Sequence, residues 1–315
     1  MSRTIPAAPA AASSASAQRG FLLLITAGVL WGTGGLAGHL LQDVSGVPPL
    51  AVATYRLLLG GLIITAFLAA SGRLRRLPVT RPLLTRLALN AVLHSVFQSL
   101  YFASLALIPV GLATLVKIGS VPVFVAAGIC LASRSLPARR LVVSVLLAVA
   151  GLALLAGFPA TDASPARLAA GLGCALGAGL VFSLMTLVNR VPVTGLDPLV
   201  NVGLGLLVGG ILLAPAGAAA GTAVPTDAGS LSLLAFLVLV PTALAYLVFF
   251  GGLRTASDTA AAVGGIAEPL TAALLSMALL GEQMTALGVV GSVLLVAAMG
   301  SDAGARAIAR WRDRR

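Results

Sequence analysis

Lys117 stands in "GLATLVKIGSVPVF" (111–124), an apolar stretch set in a run long enough to cross a bilayer, and it is the only lysine in the chain. Glu268, in "IAEPL", is the one acidic residue midway along another such run. A charge at that depth costs at least about 2.5–3.5 kcal/mol, so each demands a partner, a cavity or a task. Both lie N-terminal to prolines, Pro122 and Pro269, and a proline frees a carbonyl and permits a bend where polar backbone can line a cavity. Two arrangements fit: Lys117 and Glu268 face a common central cavity, or they form a salt bridge between two helices. Arg56 is a third intramembrane charge, about 12 Å from the outer end of its run by helical rise; it either binds an anion or snorkels to the interface.

Asn90, His94 and Gln98 recur every four residues, which puts them on one helical stripe, with Tyr101 near its extension. Such a stripe must face protein or water, either gluing helices by hydrogen bonds or lining a route. His94 makes proton coupling an option, because imidazole ordinarily titrates near neutrality. Trp31, Asn201 and Tyr246 are lesser pathway candidates. Two cations against one carboxylate favour a small-molecule substrate that is anionic or zwitterionic. An amino acid would set its carboxylate near Lys117 or Arg56 and its ammonium near Glu268.

The same inventory argues against other chemistries. Two histidines and two cysteines offer no metal-ligand spacing, and Cys130 and Cys174 read as small buried hydrophobes. "GTGGLAG" (32–38) superficially fits a nucleotide loop but lies within a span with no strand before it, so no cofactor is expected. An intramembrane enzyme needs paired carboxylates or an activated nucleophile at depth. Ser120, three residues from Lys117, suggests a Ser–Lys pair, yet a serine in an apolar helix more often bonds its own backbone. The reading is therefore not an enzyme.

These residues must be held by membrane helices. The 315-residue chain is 59% hydrophobic and 9% charged, with mean hydropathy +1.06, too few charges to cover a soluble globule. Ten apolar segments fall near 20–41, 49–71, 84–106, 109–132, 138–157, 167–189, 198–218, 230–251, 256–280 and 283–300. Each approaches the roughly 20 residues that a crossing helix requires. With the N-terminus inside, Arg167 alone of the 20 basic residues falls outside, and Arg56 and Lys117 lie within spans. The net charge of +11 thus sets orientation, with both termini cytoplasmic, and does not imply nucleic-acid binding. The basic tail 301–315 is placed to touch lipid headgroups, and the Ala/Ser/Pro-rich residues 1–19 read as a disordered cytoplasmic N-terminus.

The halves 20–157 and 167–300 resemble each other. "PLAVATYRLLLGG" (49–61) aligns with "PLVNVGLGLLVGG" (198–210), and Phe102, Ala113, Pro122, Ala126 and Val149 align with Phe249, Ala260, Pro269, Ala273 and Val296. Five spans is an odd number, so the second half inserts upside down. The basic turn "SRSLPARR" against the uncharged-by-cation "GEQMTA" agrees with that. The fold expected is an all-α polytopic membrane protein, ten transmembrane helices in two inverted five-helix repeats, an arrangement used for alternating access. Glycine pairs four apart (28/32, 34/38, 173/177 and 205/209) are expected at helix contacts.

"LWGTGG" in the first span, "YRLLLGG" in the second, the fourth span around Pro122 and "EPLTAALLSMALLGEQMTALGVVGSVLLVAAMG" (268–300) resemble EamA-type members of the drug/metabolite transporter superfamily. The resemblance covers residues 20–300 and implies a plasma-membrane secondary transporter, an exporter of small metabolites such as amino acids. The first half departs from the pattern, with Arg134-Ser135 where the family often has Gly-Glu. A cationic-drug efflux protein is the alternative, ranked lower because the related small multidrug pumps use a first-span carboxylate and residues 20–41 hold none.

Overall fold

The computed structural model describes residues 14–134, 139–157, 163–221, 226–256 and 258–313, and the described residues are helical apart from short turns. In order come α1 (Ser14–Ser45), α2 (Pro49–Ala70), α3 (Arg81–Leu105), α4 (Val110–Gly119), α5 (Val121–Ser133), α6 (Arg139–Gly157) and α7 (Pro165–Asn189). Then follow α8 (Pro198–Ala219), α9 (Ala228–Val238), a π-helical turn (Leu239–Leu244), α10 (Ala245–Leu253), α11 (Asp258–Leu280) and α12 (Ala286–Asp313). With α4–α5 and α9–α10 each counted as one interrupted span, ten helical segments match the ten apolar blocks. Six are long and apolar enough to cross a membrane by composition, and α6, α11 and α12 carry shorter apolar stretches. The span formed by α3 has 25 residues but is diluted by its polar stripe.

Local chemistry sets the ends. Prolines begin α2, α7 and α8, where a missing N–H costs nothing. Asp197 accepts from the Leu199 and Val200 N–H groups, and Asp227 from Ser230 N–H. That backbone bond holds the Asp227 carboxyl below the usual carboxylate range. Helical structure runs past two expected boundaries: α1 begins at Ser14, inside the segment expected to be disordered, and α12 continues beyond residue 300 to Asp313. Residues 1–13 of the expected N-terminal segment lie outside the described residues.

The most extensive helix contacts join one half of the chain to the other: α2 with α8, α1 with α11, and α6 with α12. Glycines set these distances. A Cβ on Gly61 would lie 2.3 Å from Leu207 N, and one on Gly210 would lie 2.5 Å from Leu58 N. Gly60 meets Thr242 as Gly209 meets Ser95. Residue numbers rise on α2 as they fall on α8, so these aligned helices cross antiparallel. The α6–α12 seam does the same, with Gly151 against Gly291 and Ser144 Oγ bonded to Ala298 O at 2.9 Å.

One expected glycine contact is corrected. Gly173 is exposed and a Cβ there would meet nothing within 4 Å, because it lies on the face of α7 turned away from its neighbours. The packing face is one register away: Gly171 meets Ile108 and Gly179 meets Ser120 and the Lys117 carbonyl.

Candidate functional site

The fourth span breaks at Ser120, two residues before Pro122, and α4 ends just past Lys117. All ten residues of α4 are buried. Lys117 Nζ lies 2.8 Å from Glu268 Oε1 on α11, with the two side chains 6% and 20% exposed. The ammonium also lies 3.9 Å from the centroid of the Tyr101 ring and 5.7 Å from that of Phe97. Tyr101 and Phe97 are parallel neighbours on α3, and the Tyr101 hydroxyl is fixed 2.8 Å from Thr114 Oγ1. Desolvated cation–π contact is worth about 2 kcal/mol, so the aromatic pair is a real part of this ammonium's solvation.

Arg56 is buried close by. Its Nε donates to Thr242 Oγ1 at 3.0 Å, Nη2 to Pro241 O at 3.3 Å and Nη1 to Gln98 Oε1 at 3.4 Å, while Phe102 lies under the guanidinium. The local backbone explains the fit. Pro241 has no N–H for the Leu237 carbonyl, which instead accepts from the Thr242 hydroxyl at 2.8 Å. The π turn that results re-aims the Pro241 carbonyl toward Arg56. Among the described residues every hydrogen-bond partner of Arg56 is neutral.

The glycine run of α1 makes room for this centre. A Cβ on Gly32 would strike Glu268 O, one on Gly34 would meet Pro241 and Arg56, and one on Gly35 would meet the Tyr101 hydroxyl. Trp31 packs on Tyr246 and Phe249, with ring centroids 5.4 and 4.9 Å apart, beside this wall. His94 is buried against Gly205, and its Nδ1 has no hydrogen-bond partner among the described residues.

The polar stripe of α3 therefore divides. Gln98 and Tyr101 join the charged centre, whereas Asn90 enters a closed amide network with Asn189 and Asn201, bonded at 2.8–3.2 Å, that ties α3, α7 and α8 together. Ser120 Oγ donates to Lys117 O at 2.9 Å, the backbone bond of an apolar helix, while the lysine ammonium is turned to Glu268. In this conformation the Lys117–Glu268 pair is packed against aromatic rings. Open crevices lie elsewhere: a narrow one beside Glu282, and an apolar one between α1, α9 and α11.

Sequence reasoning missed four contributors: the Pro241–Thr242 turn, the ring faces of Phe97 and Tyr101, Asn189, and Glu282. Glu282 accepts from Val110 N–H at 2.5 Å and Gly111 N–H at 3.0 Å, capping α4 from the other half. A helix start at Pro109 without its own side-chain cap was the available signal. Arg167 donates to the Ala106 and Leu107 carbonyls at the end of α3.

The sequence profile of the EamA-like transporter family matches residues 18–157 and again 169–300. The chain belongs to the EamA-like transporter family. Among curated relatives it is 29% identical over 276 residues to the "Uncharacterized transporter YwfM" of Bacillus subtilis (strain 168), covering 87% of this chain and 90% of that protein. It is 26% identical over 293 residues to the "Uncharacterized inner membrane transporter YicL" of Salmonella typhimurium, covering 90% and 95%. A solved crystal structure of a protein at 20% identity superposes with a TM-score of 0.61 over 92% of this chain and 96% of the other, which shows a shared fold. As an EamA-family member the chain is a multi-pass membrane transporter, and its two family matches correspond to the two halves described above.

Proposed function

We propose that this transporter exports small zwitterionic or anionic metabolites, amino acids among them, by alternating access between two inverted five-helix halves. The observation that carries the reading is Arg56: a buried guanidinium whose hydrogen-bond partners among the described residues are all neutral, near the Lys117–Glu268 pair that links one half to the other. A buried cation with no carboxylate in direct contact is costly, and a substrate carboxylate beside it offsets that cost. The antiparallel crossing of aligned helices supports the inverted arrangement, and the inner bias of basic residues supports cytoplasmic termini in a plasma membrane. Rocking one half against the other would then separate Glu268 from Lys117 and open the centre to alternate sides. A substrate or proton gradient drives the cycle in this reading.

Counterflow with purified protein in lipid vesicles tests it. Labelled amino acids or organic acids should accumulate, and Arg56→Gln should depress that accumulation at least tenfold, the effect of about 1.4 kcal/mol of lost binding. Accumulation of quaternary cations alone would overturn the reading. Cation efflux has one observation in its favour, the aromatic rings around Glu268, but Lys117 already fills that space.

A further inference from the structure

The Lys117 ammonium is held as a small organic cation would be held by a receptor. One carboxylate oxygen lies at 2.8 Å, a tyrosine ring at 3.9 Å and a phenyl ring at 5.7 Å. We propose that Glu268, Tyr101 and Phe97 form a binding site for an organic ammonium group, which Lys117 fills in this conformation as a tethered occupant. The inference rests on the transport reading for its biological use but on separate geometry.

Three features distinguish an occupant from a structural strut. The backbone at Lys117 is fixed independently of its side chain: Gly179 packs on its carbonyl, and a Cβ there would lie 2.5 Å from that oxygen. The mirrored contact, Gly28 on Gly264, does the same work with no side chain at all. Lys117 donates to Glu268 Oε1, and among the described residues no hydrogen bond reaches Oε2, an acceptor for an incoming donor. The rings are also pre-set without the lysine, since Tyr101 is bonded to Thr114 and Phe97 packs on Phe182.

This arrangement sets specificity by exchange. An ammonium-bearing substrate that takes Glu268 leaves Lys117 buried without a partner. A zwitterion repairs that loss, because its own carboxylate becomes the new partner of Lys117. A simple cation cannot repair it and is rejected, although the site itself recognises cations. Lys117 is thus the residue that makes a cation site select zwitterions.

Replacing Lys117 by alanine removes the atoms of n-propylammonium, which makes that ion the probe. The full-length Lys117→Ala protein is purified in detergent and its melting temperature followed with n-propylammonium chloride or equimolar sodium chloride. Propylammonium should raise it by about 2–4 °C once bound with roughly 1 kcal/mol of linkage, and sodium should not. The native chain should not respond, and Glu268→Gln in the Lys117→Ala background should abolish the response. If Lys117→Ala is recovered only as aggregate, the folded yield from membranes extracted in the two salts is compared instead, and an amine-dependent yield carries the same meaning. No rise and no yield gain, an equal effect of sodium, or a response that survives Glu268→Gln overturns the site. Binding is read here without transport, so failed amino-acid counterflow would defeat the proposed function and leave this site standing.

Discussion

Gly179 presses on the carbonyl of Lys117 just as Gly28 presses on the carbonyl of Gly264, so α4 and α11 occupy mirrored places with a cation in one and a bare backbone in the other. Arg56 on α2 likewise stands opposite Gly205 on α8 in the aligned sequences, where His94 takes up the vacated volume. The connecting turns differ too. Gly281 and Arg134 follow mirrored helices, and both adopt left-handed backbone, with φ of 67° and 49°. After Gly281, Glu282 caps α4, whereas the first half has Arg134 in place of that glycine and Ser135 in place of the glutamate. What the halves share is close packing; what they do not share is charge. Two cations in one half and one carboxylate in the other make a centre that is electrically lopsided within a symmetric scaffold.

The sharpest way to break this contrast is to remove its cation. Lys117→Met should lower stability by about 3–5 kcal/mol, because Glu268 stays largely buried without a partner. Adding Glu268→Gln should restore most of the melting temperature but not amino-acid counterflow. Recovery of both would reduce the pair to a strut. The shared packing is probed next. Gly61→Ala and Gly210→Ala each drive a Cβ into opposing backbone and should cost about 1–3 kcal/mol apiece, while Gly173→Ala should be neutral within about 0.5 kcal/mol. Unequal melting shifts for the first two would deny that the seam is symmetric. Smallest is the turn: Arg134→Gly should gain about 1 kcal/mol or less by relieving left-handed strain, read as a modest rise in thermal unfolding.

The ten helical segments were legible because long apolar blocks stand out between polar turns, and the halves betrayed themselves through aligned prolines and glycines. Lys117 and Glu268 could be paired because few charges sit at that depth. The rest needed coordinates. Periodicity shows which residues share a face, not which helix that face meets, so Asn90 looked like His94 and Gln98 yet closes a network with Asn189 and Asn201. Pro241 announced only a bend; that the bend is a π turn receiving Arg56 depends on α2 lying against it. Gly173 failed for a related reason, since a spacing of four selects a stripe without choosing among parallel ones.

The bridge between Lys117 and Glu268 spans 151 positions of chain. At about 5–20 residues per second, a ribosome needs roughly 8–30 s to travel from one to the other. For that interval the newly made fourth helix carries its ammonium with its eventual carboxylate not yet synthesised. Biogenesis must therefore shelter the nascent first half, at the translocon or through a provisional set of neighbours, until the ninth helix arrives.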